Sequence, residues 1–263
     1  MQENLNILLN QQRESDITYR PDSNVRKFGI NANNENHAFF SVISHNIKNP
    51  FSTLLGFTDL LFEDFDELDN EERKFYLNEI KKSANFTYQY IEKFFEWIYY
   101  KTGKIKLEFQ PIRVKETIEK IIKRFESDNN YKFSIETIVD KNLTVYADLD
   151  SLEKILYNLI DNAIKFTTSS PKIIISAKTL NDKIEISIQD NGIGISSEDI
   201  KKLFNIAIDP INIGKHNKKG IGLGLILTKE LITLNNGTIS IDSNKDKGSI
   251  FSLVLPNIEY LDF

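Results

Sequence analysis

Cysteine is missing from the 263 residues altogether, and methionine and tryptophan occur once each. Without cysteine there is no disulfide and no thiolate chemistry. With only three histidines beside that gap, a structural zinc site is not expected either. An excess of positive charge is also lacking: 33 Lys and Arg stand against 38 Asp and Glu, a net charge of −5, so there is no basic footprint for nucleic acid. No run of about 18 apolar residues occurs, so no segment is expected to span a membrane. The chain start has no basic region followed by an apolar core, as a secretory signal would. These absences suit a cytoplasmic location, either of the chain alone or of the cytoplasmic portion of a larger or membrane-bound receptor. What is present is a 40% hydrophobic composition, enough for one large core or two small ones.

Residues 1–36 read as a polar N-terminal arm, broken by Pro21 and Gly29 and too short for an independent sensory domain. From residue 37 the pattern becomes helical. Phe40, Ile43, Ile47, Phe51, Leu54, Thr58, Leu61 and Phe65 mostly step by three or four, the seam of a long amphipathic helix. His45 falls between Ile43 and Ile47, away from the seam, so its ring is expected in solvent; Asn49 is one turn further along the same face. Pro50 removes a backbone donor and crowds the Asn46 carbonyl, so a bend is expected beside the histidine. An exposed imidazole on a rigid helix is a candidate nucleophile near neutral pH.

Asp69 or Asn70 can cap a second helix, whose seam is Leu77, Ile80, Ala84, Thr87, Ile91, Phe94 and Ile98. Thr102 and Gly103 end it. Two such helices joined by a short turn form an antiparallel hairpin over 37–103. One hairpin has too little surface to cover both stripes, so pairing with a second copy into a dimeric four-helix bundle is expected.

Residues 104–263 alternate strand and helix patterns. Ile105, Leu107 and Phe109 suggest a short strand, 114–125 a helix, and 133–139 and 143–147 two more strands. A helix is expected from about 151 to 166. Strands follow over 172–180 and 183–190, joined by Asn181 and Asp182 as a hairpin turn. A helix over 225–234 and a last hairpin of 238–243 and 249–255 complete an α/β sandwich.

Four short signals cluster in this half. Asn158 and Asn162 share one face of the 151–166 helix, where two carboxamides can offer oxygens to hydrated Mg²⁺ without adding negative charge beside a triphosphate. Lys165, three residues on, can meet a phosphate as a point charge. Asp190-Asn191-Gly192-Ile193-Gly194 puts a carboxylate at a strand end followed by a glycine turn, fit to accept from the amino group of adenine. Leu203-Phe204 precedes a polar, basic, glycine-bounded stretch ending at Lys218-Lys219, the composition of a lid. Gly220-Ile221-Gly222-Leu223-Gly224-Leu225 opens a helix, where backbone N–H groups can approach phosphate oxygens; the spacing is not that of a dinucleotide fingerprint.

In this order the signals resemble the N, G1, F and G2 boxes of the histidine kinase ATP-binding domain, of the gyrase–Hsp90-like superfamily. Ser44-His45-x-x-x-Asn49-Pro50-Phe51 resembles the H box of sensor histidine kinases, and the likeness extends over about residues 37–256. The resemblance implies that 37–103 is the dimerisation and phosphoacceptor hairpin and 104–263 the catalytic ATP-binding domain. ATP and Mg²⁺ would be the ligands, with Asn162 the firmer metal ligand beside Asn158. Asp190 would read adenine; Lys165, Gly192, Gly194, Lys219, Gly220, Gly222, Gly224 and Leu225 would line the nucleotide; Phe204 would anchor the lid. The implied reaction is transfer of the γ-phosphoryl to His45, and from there to an aspartate of a response-regulator receiver domain on a separate chain.

One position departs from the family pattern. The residue after the histidine, usually Glu or Asp, is Asn46. Its oxygen can accept from Nδ1–H but carries no charge, and charged bonds are about twice as strong as neutral ones. A loss of roughly one to three kcal/mol would slow transfer by about ten- to a hundredfold or more. Asn49 keeps the position the family uses to orient water for dephosphorylating the regulator. The alternative is therefore a catalytically weak, phosphatase-biased or scaffolding homologue.

Overall fold

The computed structural model of the chain describes residues 31–127, 133–167, 170–201, 203 and 222–257, with side chains from 41 onward. Helix α1 spans Asn31–Glu63 and helix α2 Asn70–Lys101. Helix α1 thus begins inside the stretch read as a polar arm, and Pro50 lies within it without ending it. Asn46 meets Tyr90, while Phe57 meets Tyr76 with ring centroids 5.4 Å apart, an order that makes the two helices antiparallel. The turn between them is fastened at both ends. Asp69 accepts the Glu71 and Glu72 amides at 2.8 Å, and Glu72 accepts the Asp69 amide at 2.9 Å, a capping box of the kind worth about 1 kcal/mol. Arg73 donates Nε to the Phe65 carbonyl at 3.0 Å and stacks 4.4 Å over its ring.

The seams expected from the sequence are only partly used within one chain. On α1, Ile43 and Asn46 are buried and Ile47, Leu54 and Leu61 half-buried, whereas Phe51 and Thr58 are exposed, as is Phe65, which falls in the turn beyond the helix end. On α2 the buried positions are Thr87, Tyr90, Trp97 and Tyr100, and Leu77 of the expected seam is 58% exposed. The physical reason is that two helices packed as one hairpin cover only the faces they turn toward each other.

The second half begins with strand β1 (Phe109–Arg113) and helix α3 (Val114–Ser127). The strand starts at Phe109, later than the 105–109 alternation suggests. The preceding residues have no strand to pair with, and Glu108 instead donates its amide to Asp148 at 2.9 Å. Pro111 is accommodated because β1 pairs only with β3 (Thr144–Asp148). Strands β2 (Ser134–Val139), β4 (Lys172–Leu180), β5 (Lys183–Asp190), β6 (Thr238–Ser243) and β7 (Ser249–Pro256) form the main sheet, in the order β2-β4-β5-β7-β6. Only β2 and β4 are parallel. Helix α4 (Leu149–Lys165), the short α5 (Ser197–Ile200) and α6 (Gly224–Leu234) complete the chain's described elements.

Strand alternation decides what faces the helices. Ile173, Ile175, Ile184, Ile186, Ile188, Phe251, Leu253 and Leu255 are all buried, and the register sets Ile188 opposite Phe251 and Ile186 opposite Leu253. Each such side chain contributes about 1.5–3 kcal/mol on burial. Helix α4 answers with Leu152, Ile155, Leu156, Leu159, Ile160, Ala163 and Ile164, leaving Asn158, Asp161, Asn162 and Lys165 on its other, half-buried face.

Helix α4 is aimed by Asp148. Its carboxylate caps the helix on the Ser151 amide at 2.8 Å, and its own amide donates to Asn235 Oδ1 at 2.7 Å. Burial pushes the Asp148 carboxyl up, but the bonds from Ser151 and Glu108 and the charge of Lys154 together outweigh it and hold the group below its ordinary range.

The hairpin and the second half touch along the C-terminal part of α2. Lys154 Nζ on α4 lies 2.6 Å from Glu96 and donates to the Tyr100 hydroxyl at 3.1 Å. Lys101 Nζ lies 3.0 Å from Glu230 on α6.

Candidate active site

His45 sits exposed on α1, and its ring is framed by two carboxamides. Asn46 Oδ1 lies 3.5 Å from Nδ1, and Asn49 Nδ2 lies 3.2 Å from Nε2 and 3.4 Å from Nδ1. An amide oxygen can only receive a proton, and an amide nitrogen can only give one. One tautomer satisfies both: Nδ1–H donates to Asn46, and Nε2 accepts from Asn49. Asn46 is only 3% exposed and donates its Nδ2 to the Tyr90 hydroxyl on α2 at 3.3 Å. Its oxygen is thereby turned toward the histidine. Asn46 is thus more than a neutral substitute for a carboxylate: it is a buried group tied to the second helix.

Asp190 is the next residue in the alternation Ile184, Ile186, Ile188, and so falls on the helix-facing side of the sheet, buried. Its Oδ1 accepts the Gly192 amide at 2.8 Å and the Ser249 amide at 3.3 Å. No hydrogen bond among the described residues uses Oδ2, which leaves an acceptor for an amino group. Burial pushes the Asp190 carboxyl up, opposed by those two amides. The turn is built for close approach. A Cβ on Gly192 would lie 2.7 Å from the Phe166 carbonyl oxygen, and Gly194 adopts φ +63°, where a side chain is strained.

On α4, neither Asn158 nor Asn162 has a side-chain hydrogen bond among the described residues, so both carboxamides are available to a ligand. Lys165 is held by Asp161 at 2.6 Å. Opposite them, α6 begins at Gly224 without a side-chain cap, leaving its first amides for an acceptor. A Cβ on Gly224 would lie 3.7 Å from Asn158 Oδ1, so the helix start and the Asn face are brought together. Gly222 takes φ +76°, and Leu225 is half-buried in the first turn of α6. Phe204, Lys219 and Gly220 lie outside the described residues.

Residues 35–98 match the His Kinase A (phospho-acceptor) domain, and residues 147–259 match the histidine kinase-, DNA gyrase B- and HSP90-like ATPase family. The chain has the two domains of a sensor histidine kinase core. Among curated proteins it is 27% identical over 247 residues to the cell-division control histidine kinase PdhS of Brucella canis, a match that takes in 89% of this chain and 24% of that protein. The chain thus spans about a quarter of the length of the curated relatives it matches. Among solved structures, histidine kinase ThkA in complex with response regulator protein TrrA aligns with TM-score 0.65 at 25% identity, covering 84% of this chain and 62% of that one. Acinetobacter baumannii histidine kinase AdeS shares the fold, with TM-score 0.60 at 24% identity over 81% of this chain and 98% of that one.

In this sensor histidine kinase core four site residues are not evident from the sequence. Tyr90 lies off the heptad positions assigned to α2, although it is three residues from Thr87 and so on the same buried face. Gly248, at φ +80°, packs against the Asp190 backbone, and Ser249 supplies one of its amides. The glycine ahead of the last strand is the available signal. Lys93, a lone cation in an aromatic run between Phe86 and Trp97, reaches the start of α6.

Proposed function

We propose that the chain is an ATP-dependent protein-histidine kinase of a two-component system, phosphorylated on His45. The observation that carries this is the framed imidazole: an exposed ring whose Nδ1 faces Asn46, which leaves Nε2 as the nucleophilic nitrogen. ATP bound with Mg²⁺ supplies the γ-phosphoryl group. The chain's own residues position the partners, which is most of what phosphoryl transfer asks of a protein. Asp190 orients the adenine through its unused oxygen. Asn158 and Asn162 offer oxygens for Mg²⁺, Asn162 being the firmer ligand, and the uncapped start of α6 faces the phosphates. Nε2 forms the new N–P bond as the bond from phosphorus to the β,γ-bridging oxygen breaks and ADP leaves. Asn46 steadies the growing charge on the ring through Nδ1–H.

The phosphoramidate then passes phosphate to a receiver-domain aspartate on a separate chain. ThkA, whose fold aligns with this one, forms a complex with the response regulator TrrA, and that supports this class of partner. The half-open stripe of Leu77, Phe51 and Phe65 supports a homodimer whose second copy covers it. Sedimentation as a 30.4 kDa monomer at micromolar concentration would count against that. No helix among the described residues is long and apolar enough to cross a membrane, and the cytoplasm is the location we propose.

Radiolabelled ATP tests the assignment. Acid-labile label should appear on the purified chain and disappear in His45→Gln. Label that survives the substitution would place the acceptor elsewhere, and nucleotide binding without any label would favour the weak or scaffolding homologue that Asn46 suggests.

A further inference from the structure

Lys93 belongs to the hairpin, yet its ammonium sits at the nucleotide site. The point where a Gly224 Cβ would stand is 4.0 Å from Lys93 Nζ and 3.7 Å from Asn158 Oδ1. One residue of α2 thus reaches the start of α6, the same point that Asn158 of α4 approaches. The ammonium is also electrostatically incomplete. The charged groups around it are Lys165, Asp161 and Glu96. Asp161 is already held by Lys165 at 2.6 Å, and Glu96 by Lys154 at 2.6 Å. Among the described residues Lys93 has no carboxylate within ion-pairing distance. Burial and the repulsion of Lys165 push its ammonium below the ordinary lysine range, only partly offset by Asp161 and Glu96. An ammonium without a carboxylate partner, beside an uncapped helix start and a free carboxamide, forms an environment that an anion would complete.

Lys93 is also three residues, about one helical turn, beyond Tyr90, the residue that holds Asn46 next to His45. One turn of α2 thus separates the residue that ties Asn46 from the one that reaches the start of α6. We propose that Lys93 is a phosphate-binding residue of the ATP site, contributed by the phosphoacceptor hairpin and not by the ATPase domain. This rests on the assignment of the site to ATP. Its consequence is that full nucleotide affinity requires the ATPase domain to be docked on α2, so that binding of ATP draws the donor to the helix pair that carries the acceptor. Lys165, bound to Asp161, is less free to do this.

Calorimetric titration of the full chain with ATP and with adenosine, each with Mg²⁺, tests the assignment in wild type, Lys93→Met and Lys93→Gln, with Lys93→Arg as the charge-conserving control. Loss of one charged hydrogen bond to phosphate should weaken ATP binding by about tenfold or more in the two neutral variants. Adenosine affinity should be unchanged, and Lys93→Arg should stay near wild type. ATP binding that is unchanged in both neutral variants overturns the assignment. So does tighter binding, which would mean that Lys93 excludes the nucleotide. An equal loss for ATP and adenosine overturns it as well, since that is the mark of a residue that merely holds the two domains together. If the wild type binds neither ligand, the ATP site itself is wrong, a result distinguishable from all of these.

Discussion

Asn46 on α1 and Tyr90 on α2 share a buried hydrogen bond, carboxamide Nδ2 to phenolic oxygen, at 3.3 Å. The bond fixes which end of the carboxamide meets the histidine. Without it the amide could turn and present N–H to Nδ1, which would favour the tautomer with the proton on Nε2 and remove the nucleophile. Tyr90→Phe should therefore lower the initial rate of phosphohistidine formation several-fold at saturating ATP while leaving KM for ATP in place. Stranding the buried amide should also cost about 1–3 kcal/mol of stability. A variant that melts earlier yet labels at the wild-type rate would show that the bond serves the fold alone.

The burial of Asn46 changes what a carboxylate there would do. Asn46→Asp would place a charge at a site 3% exposed, with the Tyr90 hydroxyl and His45 Nδ1–H as its donors. Both can turn a proton toward it, so the charge is hydrogen-bonded but desolvated. Phosphohistidine formation should rise by about ten- to a hundredfold as the ring's developing charge is met. Thermal stability should fall, because a desolvated carboxylate is costly even when bonded. The two effects are read on one sample, label by acid-quench assay and melting by circular dichroism. A melting point that falls with no gain in label would remove Asn46 from the account of activity.

Asn49 acts on the other nitrogen. Its amide nitrogen lies 3.2 Å from Nε2, the nitrogen that must attack phosphorus, and 3.4 Å from Nδ1, and so crowds the approach to the ring. Asn49→Ala should leave autophosphorylation intact or raise it a few-fold, because this competitor is gone. Dephosphorylation of a receiver aspartate should drop by about tenfold or more if the carboxamide orders the attacking water. Both rates are measured with a purified phosphorylated receiver domain. A fall in autophosphorylation with unaltered dephosphorylation would reverse the role assigned to Asn49.

What is legible in the sequence follows from the range of the forces involved. Strands β4, β5 and β6 are visible residue by residue because their isoleucine-rich patterns are local, a continuous run in β4 and alternation with polar residues in β5 and β6. Asp190 can be placed for the same reason, as the next step in the β5 alternation. The exposure of His45 follows from a period of 3.6. The partners of these residues are another matter. Tyr90 meets Asn46 across 44 positions, and Ser249 meets Asp190 across 59. Neither pairing leaves a periodic trace. The heptad on α2 is legible as a stripe, but a stripe does not say which of its contacts lie within the chain. Lys93 is invisible as a site residue because its role depends on how two domains dock.

Asp190 gives the last prediction, since its two duties oppose each other. Burial pushes its carboxyl above the ordinary range, so the folded chain holds that proton more tightly than the unfolded one. Where the native state binds more protons, stability falls as pH rises. Asp190 is thus a liability to the ligand-free fold at neutral pH, acquired between the ordinary carboxylate pKa and its raised folded value. Asp190→Asn removes the charge while its Oδ1 keeps the Gly192 and Ser249 amides. The ligand-free variant should melt at or above the wild-type temperature at pH 7, and the difference should shrink as pH falls through that window. ATP affinity should move the other way. The new Nδ2 meets the adenine amino group donor to donor, and mismatched buried polar groups cost a factor of about a hundred or more. Differential scanning fluorimetry across pH, with and without MgATP, reads both. A ligand-free variant that melts well below wild type at pH 7, or one that MgATP still stabilises fully, contradicts the assignment of Asp190 to the nucleotide base.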